Sequence, residues 1–220
     1  MSYASPRLIT TKTKGMLVQV VSLEKELEPD TVYNIEVADF HTYFVGELKV
    51  LVHNDNCGNL EIVIGNQGGN HARWVVDGNG HPLEVSGKLT EDFGGAAAGN
   101  FRSSLEEAQA LLTGRKGLSA DEGGHLIAHR FMKDQGLKNL FPQNGNFNRG
   151  SFKVLENDYA RALRVPGTEI SFSHKLSSFD DIGRPNVLKV RTNIFRGGDL
   201  FDRIRHTFSN ETGTQYTRRY

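Results

Sequence analysis

Short stretches that alternate apolar and polar residues recur along the chain, with the period of two expected of half-buried strands. Val32-Tyr33-Asn34-Ile35-Glu36-Val37 alternates, as does Thr42-Tyr43-Phe44-Val45, while residues 16–23 and 48–52 are apolar runs of strand length. Residues 60–64, 72–76 and 81–89 continue the pattern, and the turn Asp77-Gly78-Asn79-Gly80 predicts a hairpin between the last two. Residues 169–173 and 187–191 read as further strands. The 3.6-residue period appears over 104–112 and 149–161. In the first, Ser104 and Glu107 suggest a capping box and Gly114 a stop; in the second, Phe152, Leu155, Tyr159 and Ala162 share a face. The pattern predicts an α+β fold whose main layer is an antiparallel sheet, with a small all-β segment ahead of it.

Composition supports this picture: 24 glycines against 6 prolines suit a strand-rich fold with many turns. Turn formers cluster at 53–60, so the predicted organisation is an N-terminal piece (1–57), a main domain (58–210) and a mobile polar tail (211–220). Cys57 is the one cysteine, so no internal disulfide is available, and its neighbours include no base. No apolar run reaches 18 residues, which predicts no membrane span. Residues 1–15 lack periodicity and an apolar signal core.

A net charge of zero hides an asymmetry. Residues 1–100 carry 7 basic and 13 acidic side chains, a charge of −6; residues 101–220 carry 19 and 13, a charge of +6. A basic half suits a polyanionic partner such as nucleic acid. Arg191, Arg196, Arg203 and Arg205 form a run able to follow a phosphate backbone, or simply to face solvent.

The densest chemistry lies in 121–156, DEGGHLIAHRFMKDQGLKNLFPQNGNFNRGSFKVLE. Paired glycines allow a tight bend before His125, whose imidazole suits proton transfer near neutral pH. Asn139 follows His125 by 14 residues, Asn148 follows by 9 more, and Glu156 by 8 more. Amide and carboxylate oxygens are hard ligands that suit Mg²⁺. Asn148 is equally a helix cap. His125 and His129 stand at i, i+4, but a zinc protease needs Glu where Leu126 stands. His71, His81, His174 and His206 read as surface residues.

These spaced residues resemble the DNA/RNA non-specific endonuclease family, built on the ββα-metal (His-Me) finger: Gly-His, then Asn in N-x-x-P-Q, Asn nine later in N-x-G, and Leu-Glu eight beyond. The resemblance covers about 60–205. It implies His125 as general base, Asn148 as direct Mg²⁺ ligand (with Mn²⁺ as a substitute), and Asn139 and Glu156 positioning the water shell and the histidine. DNA and RNA are the implied substrates and a 5′-phosphate the implied product. Many relatives carry Arg where this chain has Gly123; Arg149 or another arginine is expected to replace it. A binding module without catalysis is the alternative that this departure leaves open.

VYNIEVADFHTYFVGELKVLVHNDNC (32–57) resembles the end of the Hint domains that precede toxin domains in bacterial polymorphic toxins. The resemblance assigns His53 and Asn54 to the terminal pair that drives self-cleavage, with Asp39 and His41 as helpers. The initiating Cys or Ser has no counterpart, so the segment reads as a Hint remnant and self-processing as a lesser alternative. The pairing implies a secreted or injected effector that acts in the target-cell cytoplasm and is blocked by a cognate immunity protein.

Overall fold

The computed structural model describes the backbone of two short strands, β1 (Thr42–Val45) and β2 (Val50–His53), and residues 60–220 in full. The chain divides into two compact units, Met1–Cys57 and Gly58–Tyr220. In the first, β1 and β2 pair antiparallel, with Thr42 opposite His53. The expected strands at 16–23 and 32–37, and Asn54, lie outside the described residues.

The second unit is built on a six-stranded antiparallel sheet of order β10-β9-β8-β5-β4-β3. Its strands are β3 (Glu61–Gln67), β4 (Asn70–Val76), β5 (Pro82–Leu89), β8 (Thr168–Phe179), β9 (Pro185–Arg196) and β10 (Asp199–Ser209). Alternation places Ile170, Phe172 and Leu176 of β8 and Leu188, Val190 and Ile194 of β9 on one buried face. His174 falls on that same face and is buried, contrary to its reading as a surface residue. Its Nδ1 donates to Leu126 O at 2.7 Å, Tyr159 OH lies 3.0 Å from its Nε2, and burial pushes its pKa down to about 4.

The remaining elements of this unit all lie between β5 and β8 in the chain, and the last of them, the helix Lys153–Leu163, packs on β8. Helix α1 (Ser104–Arg115) comes first, then a two-stranded hairpin of β6 (Asp121–His125) and β7 (Leu140–Asn144). One helical turn, α2 (Gly145–Phe147), a widened π-type turn (Asn148–Phe152) and α3 (Lys153–Leu163) complete a ββα unit. The expected helix from 149 therefore starts later: Gly150 has φ −98° and ψ −108°, which breaks the helical path. Asn144, rather than Asn148, caps the first turn, accepting from Asn146 N and Phe147 N. The core joins the sheet to Leu126, Phe131, Phe147, Phe152, Leu155 and Tyr159 of the finger.

The segment from Asn210 onward makes specific contacts with the rest of this unit. Asn210 is buried; its Oδ1 accepts from Asn144 N at 2.8 Å, and its Nδ2 donates to Pro142 O and Pro185 O. Farther on, Tyr216 OH and Arg219 N both donate to Asp158 Oδ2, and Tyr220 OH donates to Asp202. Asp158 sits fully buried on α3; Arg161 Nη2 donates to its Oδ1 at 2.6 Å, and the tail supplies the donors for its Oδ2.

Candidate active site

The site begins with the backbone of β6. Pairing with β7 places Gly123 opposite Pro142 and His125 opposite Leu140. Helix α1 lies directly on β6: a Cβ built on Gly123 would sit 2.5 Å from Ala110 Cα, closer than any side chain tolerates. Gly123 therefore seats the helix, and no arginine fits at that position. The cap of α1 is Ser103, whose side chain accepts from Glu106 N at 3.1 Å, one residue earlier than expected. This frame turns Glu106 inward, where it is 3% exposed.

His125 ends β6, 7% exposed, with its Nε2 2.7 Å from Glu106 Oε1. The same oxygen lies 2.9 Å from His129 Nδ1, which also stands 2.7 Å from Oε2, while His129 Nε2 lies 3.0 Å from Asn100 Oδ1. Burial pushes the Glu106 carboxyl up, but hydrogen bonds from His125 and His129, and one with Asp134, outweigh it and hold the pKa down at about 2. Glu106 is ionised across the neutral range.

The segment after His125 is held by Asn139. Its Oδ1 accepts from Ile127 N at 3.0 Å and from Trp74 Nε1 at 3.2 Å, and its Nδ2 donates to Ile127 O at 2.8 Å. Asn139 is buried behind the site, where it fixes the chain leaving His125; it does not reach the cavity wall.

An open cavity of about 740 Å³ brings His125, Asn148, Glu156 and Arg149 together. Asn148 Nδ2 donates to Glu122 Oε2 at 2.9 Å, which orients the amide and leaves Oδ1 as its remaining donor atom for a cation. Glu156 is held from one side by Lys153 Nζ at 3.0 Å. Arg149 pairs with Glu122. Arg102, Arg130 and Lys153 also line the cavity. Arg130 is braced by Asp92, with Nε and Nη2 donating at 2.8 and 2.6 Å. Cations thus reach the cavity from three segments other than β6.

The donor set fits a hard divalent ion: the Asn148 amide oxygen and the Glu156 carboxylate face one polar, open space. Glu106, His129 and Asp134 also bring ligand atoms within 4.8 Å of one another. Glu106 Oε1 and both His129 nitrogens, however, are taken up by hydrogen bonds among His125, His129, Glu106 and Asn100, while Glu106 Oε2 is buried without a hydrogen-bond partner among the described residues.

Arg191 and Arg196 lie on β9, and neither lines the cavity. Arg191 pairs in register with Arg205, and the Arg196 guanidinium stands 3.4 Å over the Phe201 ring. The side chain of His53 and all of Asn54 lie outside the described residues. Sequence reasoning missed Glu106, Glu122, Arg102 and Arg130. Only the capping pattern before α1 carried a signal for Glu106, and it was read one residue out of phase.

Residues 66–194 match the model of the "DNA/RNA non-specific endonuclease" family, and residues 3–55 match that of the "Pretoxin HINT domain". Among solved structures, NucA from Streptococcus agalactiae with magnesium ion bound is 13% identical, with a TM-score of 0.46 over 71% of this chain and 86% of that one. Sda1 nuclease with bound zinc ion is 14% identical, with a TM-score of 0.45 over 79% and 91%. An extracellular endonuclease is 11% identical, with a TM-score of 0.43 over 81% and 93%. The family model spans more than half of the sequence and contains His125, Asn139, Asn148 and Glu156: the chain belongs to the DNA/RNA non-specific endonuclease family, preceded by pretoxin Hint sequence.

Proposed function

We propose that this endonuclease hydrolyses phosphodiester bonds of DNA and RNA with Mg²⁺ and little sequence preference. The observation that carries the reading is the convergence of His125, Asn148 and Glu156 on one open cavity ringed by Arg102, Arg130, Arg149 and Lys153. His125 takes a proton from the attacking water. Asn148 would hold the metal through Oδ1, and Glu156 would hold waters bound to it. The bound ion would neutralise charge on the phosphate and the leaving 3′-oxygen. The four cations grip neighbouring phosphates, which suits a backbone-reading, sequence-tolerant nuclease, and breaking the bond from phosphorus to the 3′-oxygen leaves a 3′-hydroxyl and a 5′-phosphate. Asn139 serves by holding the backbone beside His125, and Arg191 and Arg196 are assigned at most to distant phosphates.

The Hint match at 3–55 extends the proposal. The nuclease is the toxin portion of a secreted or injected polymorphic effector that works in the target-cell cytoplasm and is neutralised by a cognate immunity protein. Mn²⁺ is expected to replace Mg²⁺.

The test is cleavage of plasmid DNA and of RNA with Mg²⁺, with Mn²⁺ and with chelator. Wild type should cut both polymers with either ion and neither polymer with chelator. His125→Ala and Asn148→Ala should each lose about 100-fold or more in kcat. Wild type that binds nucleic acid without any metal-dependent cutting would establish a binding module instead. His125→Ala at the wild-type rate would overturn the base assignment.

A further inference from the structure

We propose that Glu106 is the positioning residue that fixes the tautomer and orientation of the His125 ring; the proposal rests on reading His125 as the base. Three observations meet at this carboxylate. It is 3% exposed, an expensive place for a charge unless its oxygens are engaged. Its Oε1 lies 2.7 Å from His125 Nε2. It is ionised and therefore acceptor-only, so the nitrogen facing it must carry the proton.

The other ring atom, Nδ1, has no hydrogen-bond partner among the described residues, nor is it among the buried atoms left without one. It is the nitrogen open to the cavity. With Nε2 protonated toward Glu106, Nδ1 keeps its lone pair and can accept a proton from water. The tautomer with the proton on Nδ1 would present N–H to the water and could not act as a base.

The carboxylate is itself held. His129 Nδ1 hydrogen-bonds Oε1 at 2.9 Å and stands within ion-pair distance of Oε2, and the His129 ring is fixed at its far side by Asn100 Oδ1. The Asn100 amide is oriented in turn by Nδ2 donating to Gly94 O at 3.0 Å. The loop before α1, the helix and the segment after β6 thus converge on one ring. His129, which stands four residues after His125 and invites a zinc reading, serves as the brace of the carboxylate.

The experiment uses the full chain. Long-range ¹H–¹⁵N spectra of ¹⁵N-histidine protein at neutral pH should show His125 protonated at Nε2. Glu106→Leu keeps the bulk but removes the acceptor; it should mix the tautomers and lower kcat by roughly 100-fold or more with KM unchanged. Glu106→Gln restores an acceptor oxygen; it should recover the Nε2–H tautomer and part of kcat. A wild-type spectrum with the proton on Nδ1 overturns the proposal, and this result stands even where Glu106→Leu does not fold. So does a folded Glu106→Leu with the wild-type tautomer and kcat, or a Glu106→Gln no better than Glu106→Leu. A wild-type protein that never cleaves refutes the nuclease reading instead, and the wild-type spectrum still decides whether Glu106 sets the tautomer.

Discussion

Burial of His174 on the core face of β8 gives the fold a built-in acid sensitivity. An unfolded imidazole titrates near 6.5, whereas burial pushes this one down to about 4. Above pH 6.5 the ring is neutral in both states and adds no pH dependence. As pH falls from 6.5 toward 4, only the unfolded chain takes up the proton, so stability drains away by about 3 kcal/mol at the lower limit. Denaturant titrations at pH 7.5 and 4.5 should record most of that loss. His174→Asn, less stable at pH 7.5, should lose less across the same window. The inward position of His174 was legible in the alternation Ile170, Phe172, His174, Leu176, because a strand's period ignores residue type. His125, Asn148 and Glu156 were legible because their order along the chain survives in their meeting at one cavity. Glu106 was not, because its contact spans 19 residues and depends on how a helix lies on a strand.

That helix, α1, shows why periodicity alone misplaces an element's face. Leu105, Leu111 and Leu112 point outward, while Glu106, Thr113 and Gly114 are buried. The seat is made by absent side chains: Gly123 meets Ala110, and Gly114 meets the backbone at Glu122 and Gly123. Close backbone approach selects glycine and leaves no apolar stripe to read. Gly123→Ala should therefore lower stability by about 1–3 kcal/mol through overpacking, visible as a lower denaturant midpoint. It should also reduce activity more than an equally destabilising change in β3, since it moves the helix that carries Glu106. Gly123→Arg would not restore the cation found in relatives; it would unseat α1. The ββα unit was anticipated, yet its helix was drawn too early, since the break at Gly150 is a backbone event that side-chain spacing does not reveal.

At the scale of the second unit, the finger is fastened to the sheet by a buried polar clasp. Arg184, 3% exposed in the loop before β9, donates through Nε and Nη2 to Asp121 at 2.5 and 2.9 Å, and Nη2 also reaches Asn210 O. Removing one partner strands the other charge, so Arg184→Ala should cost about 3–5 kcal/mol. Its unfolding midpoint should fall without a change in the chemistry at His125. Charge asymmetry marks the C-terminal half as basic, but does not reveal that the cavity draws its cations from segments far apart in sequence. The sheet order carries one more consequence. Strands β5 and β8 are hydrogen-bonded neighbours, with Leu89 opposite Ile170, yet α1, the β6–β7 hairpin and α3 all intervene. The nuclease finger is thus one long excursion between adjacent strands. Closing so large a loop carries an entropic penalty before any sheet contact rewards it, and such non-local pairing folds slowly. Amide protons of β5 and β8 should gain protection late in refolding and together, and cleavage activity should return only with them.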